Sequence, residues 1–304
     1  MIFSDFKRRF GVHGVGWRKL LSWGVHNVPS HLEPFVIATW AAIFMLWREG
    51  RKGVSKNLRL IFPGSSEIAT FFRAYRVFAS HAWSLSDSSR FQERRTIPDW
   101  EFVGFDHFQR LIRSKEGAII LTAHMGNYDL GSFLFSEKLK RPLTVVRAPE
   151  AEEDTGEFID TERERTLSSD IKVGYNASSD SLAIELIETL RSGGFVAIQG
   201  DLVSPTASAM SSSLFGKKVR LPAGPFALAM ASRALIYPLF VVRMGRRSYR
   251  IITLPPGSVH RTGRDRAVDL QRAVDAWAVQ LETVVRKYWF QWFMFTPVEE
   301  ESAR

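Results

Sequence analysis

The sequence predicts an α/β protein in which a mostly parallel central sheet is flanked by helices, preceded by an N-terminal helical region suited to membrane docking. Three observations carry this. From Trp100 onward, short apolar runs alternate with amphipathic stretches, the pattern of strands buried on both faces between covering helices. Between residues 14 and 90 the apolar residues recur at three- and four-residue steps instead, which is the helical period. The first 60 residues gather ten Lys and Arg against Asp5, Glu33 and Glu49, together with Trp17, Trp23, Trp40 and Trp47.

Taken in order, Leu20, Leu21 and Val25 open the helical region, and the apolar run 34–47 follows. At 14 residues that run is shorter than the roughly 20 needed to span a bilayer, so it reads as an interfacial, re-entrant or buried helix. Pro63-Gly64 breaks the region, and Ile68, Phe71, Phe72, Tyr75, Phe78 and Ala79 then give a second helical stripe. Strands are expected at 100–104, 117–123, 143–147, 171–175, 195–199, 236–243 and 248–254. Helices are expected at 106–114, 128–139, 152–168, 180–192, 224–234 and 266–288. Residues 1–95 thus form the helical docking region and 96–304 the α/β domain, as one continuous unit.

Composition narrows the function. The chain has no cysteine, which excludes disulfides, thiolate zinc sites and cysteine nucleophiles. Its net charge of +9 lies mostly in the first 60 residues, where basic side chains interleave with tryptophan and leucine. That pattern suits an anionic membrane surface, with indole rings at the headgroup level; a basic, solvated helical face is the plain alternative. No nucleic-acid recognition motif accompanies the charge, so nucleic acid is not an expected partner. There is no Gly-x-Ser-x-Gly elbow, P-loop, Rossmann glycine fingerprint or His-Glu-x-x-His, and no histidine pair at metal-ligand spacing; no metal or cofactor is expected.

The chemistry is carried by His124 and Asp129, in Ala118-Ile-Ile-Leu-Thr-Ala-His-Met-Gly-Asn-Tyr-Asp-Leu130. Spacing alone proves little. With 7 histidines and 32 acidic residues in 304 positions, about 0.7 such pairs arise by chance, and His260 with Asp265 is a second one. Positions i and i+5 of a helix diverge, so the pair can meet only where the histidine precedes the helix and the chain turns between. His124 follows a strand, Gly126 permits the turn and Asn127 can cap the helix, with Asp129 in its first turn. His260 lies in a polar loop, and Asp265 reads as the cap of the final helix. His124 is therefore the expected general base and Asp129 the carboxylate that orients it; a core histidine is the alternative.

The His-x4-Asp pair after a strand is similar to that of the glycerolipid and lysophospholipid acyltransferase superfamily. Most of the chain resembles its bacterial branch of lipid A late acyltransferases and phosphatidylinositol mannoside acyltransferases. Asn57-Leu58 through Phe62-Pro63 looks like the branch's "NL…FP" stretch, and His124-Met-Gly-Asn-Tyr-Asp129 like its catalytic block. Arg147 matches an arginine ending the next strand, and Asp201 a third block. Phe215-Gly216, Pro238 through Arg243, and Gln291-Trp292-Phe293 resemble "FG", "P-x-F-x-x-R" and "QWF". Lipid A late acyltransferases usually carry glutamate where this chain, like the wider superfamily, has an aspartate, Asp129, and Asp201 is commonly followed by a basic or polar residue where this chain has Leu202.

The resemblance implies a glycerolipid-acyltransferase-like fold and a membrane-associated O-acyltransferase. A fatty acyl group would pass from an acyl thioester, on acyl-carrier protein or CoA, to a hydroxyl of a lipid or glycolipid, as in lipid A biosynthesis. His124 and Asp129 would be catalytic. Asn127, Arg147, Asp201, Phe215 and Gly216 would bind substrate, with Arg163 or Arg165 as further phosphate ligands. Its place would be the cytoplasmic face of the bacterial inner membrane, peripheral or monotopic. A non-catalytic lipid-binding protein on the same fold is the alternative.

Overall fold

The computed structural model describes residues 23–24, 27–29, 31–94, 98–128, 130–131, 141–148, 171–175, 180–204, 207–263 and 265–299. The helices expected at 128–139 (beyond its first residues) and 152–168, and with them Arg163 and Arg165, lie outside these residues.

Three helices come first: α1 (Glu33–Phe44), α2 (Arg48–Ile61) and α3 (Glu67–Arg94). Pro63-Gly64 separates α2 from α3, and Gly64 adopts φ +77°. Helix α1 runs antiparallel to α3. Glu33 meets Ser86 and Arg90, Trp40 lies beside His81, and Phe44 beside Phe78. The buried stripe of α3 is Thr70, Ala74, Val77, Phe78 and Ala82. Of the expected helical stripe, Phe78 is buried while Ile68, Phe71 and Phe72 are exposed. The helix carries two apolar faces about a third of a turn apart, and only one packs inward. α1 is likewise apolar all round: Ile37, Trp40, Ala41 and Phe44 are buried, while Phe35, Ile43 and, just beyond the helix, Leu46 face out.

The sheet follows, with strands β1 (Asp99–Val103), β2 (Ala118–Thr122), β3 (Leu143–Arg147), β4 (Ile171–Tyr175), β5 (Phe195–Gln199), β8 (Leu235–Gly245) and β9 (Ser248–Thr253). Their spatial order is β1-β9-β8-β2-β5-β3-β4, and every pair is parallel except β8–β9. Helices α4 (Phe105–Arg113), α5 (Asp180–Arg191), α6 (Gly224–Ser232) and α7 (Arg266–Tyr288) complete the described layers. The strands alternate strictly between two cores. Ile119, Leu121, Val196, Phe240 and Val242 face Trp277 of α7 and the helices beside it. Ala118, Ile120, Phe195, Tyr237 and Val241 face the opposite way, toward Phe108 and Leu111 of α4.

One element escaped the sequence. Strands β6 (Ala209–Leu214) and β7 (Lys217–Pro222) form a separate antiparallel hairpin. Its first strand, Ala-Met-Ser-Ser-Ser-Leu, lacks the apolar alternation that marks a strand. Phe215 and Gly216 are its two turn residues, both at positive φ (54° and 76°), the geometry tight hairpins use. The helical region and the sheet meet through Asn57, whose Nδ2 donates to the main-chain oxygens of Met294 (3.0 Å) and Thr296 (2.8 Å). Phe293 joins the same buried cluster as Phe44 and Phe78. Among the described residues no helix is long and apolar enough to cross a membrane.

Candidate active site

Strands β2 and β5 are parallel neighbours, so their C-terminal ends lie side by side: Thr122 pairs with Gln199. Two residues past the end of each strand stand His124 and Asp201. Asp201 Oδ1 lies 2.8 Å from His124 Nδ1, and its Oδ2 accepts the main-chain N–H of His124 at 2.9 Å. The indole Nε1–H of Trp292 donates to the same Oδ2, also at 2.9 Å. The Asp201 side chain is fully buried, whereas that of His124 keeps 25% of its surface exposed. Burial alone would raise the pKa of Asp201. The charge on His124 and the hydrogen bonds from its ring, from Trp292 and from the His124 main chain outweigh that, and the carboxyl is held below its ordinary value.

The loop carrying His124 is fixed from several sides. Gly126 sits at φ +61°, and a Cβ there would fall 1.8 Å from the Val241 oxygen. Gly126 N donates to Gln291 O and Asn127 N to Val241 O, both at 2.9 Å. Gln291 in turn brackets Arg243, accepting from its N–H (2.7 Å) and donating to its C=O (2.8 Å). Phe293 N donates to the His124 carbonyl at 2.7 Å. The segment 291–293 is thus the clamp on the loop that carries His124, and Trp292 joins the candidate site, where the sequence offered only its motif.

Asn127 caps the following helix, its Oδ1 accepting from Leu130 N at 3.0 Å. Its Nδ2 donates to the Ser84 carbonyl (3.0 Å) and the Tyr249 hydroxyl (3.3 Å), so the amide is engaged within the protein. Tyr249 donates to Asp87 at 2.6 Å, and Arg243 Nε donates to the same Asp87 oxygen at 2.8 Å. Burial, then the Asp87 charge, raises the Tyr249 pKa well above its ordinary value, so the phenol keeps the proton it donates.

His124 borders a cavity of about 490 Å³ that runs between α5 and α6. Its walls are aliphatic, including Leu182, Leu186, Ile187, Ile198 and Leu228, with Arg147 and Arg266 also on the lining. Arg147 ends β3, and its guanidinium lies 5.6 Å from the centre of the Tyr128 ring. Phe215 and Gly216 do not line this cavity. The Phe215 ring packs 6.0 Å from Trp292 and so backs the indole that holds Asp201. Asp129 lies outside the described residues. His260 stays in an exposed loop, and Asp265 spends its carboxylate capping α7 through Ala267 N at 2.8 Å.

The arrangement is one a general base can use: an imidazole with one nitrogen held by a buried carboxylate and no other described hydrogen-bond partner on the ring, on the lining of a largely aliphatic cavity. In comparison with known families, the model described as bacterial lipid A biosynthesis acyltransferase matches residues 12–298. A comparison with curated proteins gives no match.

Proposed function

Because the chain belongs to the bacterial lipid A biosynthesis acyltransferase family, we propose that it transfers a fatty acyl group from an acyl thioester, on acyl-carrier protein or CoA, to a hydroxyl of a membrane lipid or glycolipid. The observation that carries this reading is the His124–Asp201 pair beside the aliphatic cavity.

The acyl chain occupies the cavity between α5 and α6, whose size falls in the roughly 300–1,000 Å³ range of ligand sites. Arg147 at the end of β3 meets a phosphate of the donor or acceptor. Asp201 accepts the proton of His124 Nδ1, which leaves Nε2 as the basic nitrogen. Nε2 takes the proton of the acceptor hydroxyl as its oxygen bonds to the thioester carbonyl carbon. The C–S bond then breaks and the imidazolium returns the proton to the departing thiolate, giving an ester and a free thiol. Asp201 stabilises the imidazolium between these steps. In this scheme Asp201 takes the orienting role that spacing gave to Asp129.

The reaction takes place at an anionic membrane surface, to which the protein binds peripherally on the cytoplasmic face. Support comes from the outward apolar side chains of α1, the residues just after it and the start of α3, chiefly Phe35, Leu46, Ile68 and Phe72, and from exposed Lys52 and Lys56 on the intervening α2.

The test is intact-lipid mass spectrometry of cells lacking the protein, complemented with wild type or His124→Ala. A lipid short of one acyl chain, restored by wild type alone, is expected and identifies the acceptor. Full restoration by His124→Ala would favour a lipid-binding protein without turnover.

A further inference from the structure

His124 also borders a second, smaller cavity of about 150 Å³, formed against α3 rather than between α5 and α6. His81, Ser84 and Ser88 contribute to it from one side of α3, with Asn127 and Phe293 opposite. Ser84 is only 6% exposed, and its Oγ is buried without a hydrogen-bond partner among the described residues. A helical serine ordinarily settles its hydroxyl on the carbonyl one turn back, and this one does not. Native structures pair nearly all such groups, so an orphan at the edge of a cavity marks a place for a partner. The turn that holds Ser84 is also tied to the catalytic loop, because the Ser84 carbonyl accepts from Asn127 Nδ2 at 3.0 Å.

We propose that this cavity admits the acceptor alcohol, with Ser84 Oγ hydrogen-bonding a hydroxyl of the acceptor's polyol or sugar head while His124 deprotonates the reacting one. The inference rests on the acyltransferase reading above and adds which cavity takes which substrate. The smaller space has about a third of the larger one's volume and suits a hydroxyl-bearing fragment better than a fatty chain. The larger, aliphatic cavity holds the chain. Helix α3 joins this site to the membrane: its first turns expose Ile68 and Phe72, and its middle lines the small cavity. An acceptor embedded in the bilayer therefore reaches His124 along α3, from a different cavity than the donor. Both substrates are bound at once, so the kinetics are sequential and no acyl-enzyme accumulates.

The experiment uses the purified full-length chain with palmitoyl-CoA and palmitoyl-acyl carrier protein as donors. A glycolipid extract from a Gram-negative envelope serves as acceptor, and water as the competing acceptor. Ser84→Ala is expected to lower the ratio of lipid acylation to thioester hydrolysis about two- to tenfold, the worth of one hydrogen bond, through a higher acceptor KM. Ser84→Leu, which fills the cavity, lowers the ratio further. Ser84→Ala also keeps or raises Tm, because it removes an unpaired buried hydroxyl; a merely structural serine would lower it. Acylation and hydrolysis falling in parallel, or an unchanged acceptor KM in both variants, would overturn the assignment. A wild-type protein with neither His124-dependent acylation nor His124-dependent hydrolysis would remove the acyltransferase reading itself, and this inference with it.

Discussion

Replacing Asp201 by asparagine keeps the shape of the side chain and removes its charge, which isolates what the carboxylate does for His124. Oδ2 accepts two N–H groups, from the His124 main chain and Trp292, so the asparagine oxygen settles there. Its NH2 then faces His124 Nδ1, where Oδ1 stood at 2.8 Å. A donor at that position makes Nδ1 the acceptor and moves the ring proton to Nε2, the nitrogen that must receive the acceptor's proton. Losing the charge-assisted hydrogen bond costs the imidazolium about 1.5–3 kcal/mol, or roughly 10- to 100-fold in rate. The inverted tautomer removes the base as well, so kcat for acyl transfer is expected to fall by about 10²–10⁴-fold, the range general-base catalysis supplies. Because Asp201 does not line the aliphatic cavity, the donor KM stays near its wild-type value. The assay is steady-state transfer from an acyl thioester, with circular dichroism to confirm the fold. A folded Asp201→Asn protein with kcat within tenfold of wild type would refute the assignment of Asp201.

The acid limb of stability tests the same carboxylate. Its folded pKa is depressed, so its contribution is complete above the ordinary carboxylate range and is lost as pH falls through the lower folded value; wild type should lose stability more steeply than Asp201→Asn below roughly pH 4, and parallel curves would argue against it. Gly126→Ala combines a left-handed φ with a Cβ 1.8 Å from the Val241 oxygen, and left-handed geometry alone costs about 1–2 kcal/mol. We expect a Tm lower by at least about 5 °C with loss of transfer, and an unchanged Tm would contradict the loop geometry. Phe71→Asp/Phe72→Asp leaves the core alone and removes two rings that membrane burial would stabilise by about 1.5–3 kcal/mol each; binding to anionic liposomes should fall at least 100-fold, and equal flotation of variant and wild type would exclude this face as the docking surface.

The strands were legible because each is a short apolar run closed by a turn, and 143–147, 171–175 and 195–199 have the bounds expected of them. Helix α7 was equally clear, spanning 266–288 behind a capping aspartate. The β6–β7 hairpin was not, because a run of three serines gives no period to read. Ile68, Phe71 and Phe72 show the limit of periodicity: helical spacing marks a face as apolar without saying whether that face meets the core. At the site, His124 could be found from its strand and turn. Its pairing with Asp201, 77 residues on, depends on β2 and β5 being neighbours in the sheet. No local pattern encodes that strand order. The one available signal was formal: Asp201 follows a buried strand by the same two residues as His124, and in a parallel sheet such ends share an edge. Trp292 and Ser84 carried no sequence signal of a role, since one needed the clamp of 291–293 and the other a cavity to give it meaning.

The central claim, that His124 is the base of an acyl transfer, is tested most directly by supplying purified wild type and His124→Ala with an acyl thioester and envelope lipids and measuring the acylated lipid formed. The account predicts transfer by wild type and a fall of at least about 10²-fold in His124→Ala with the fold intact. Equal transfer by the two proteins would contradict it.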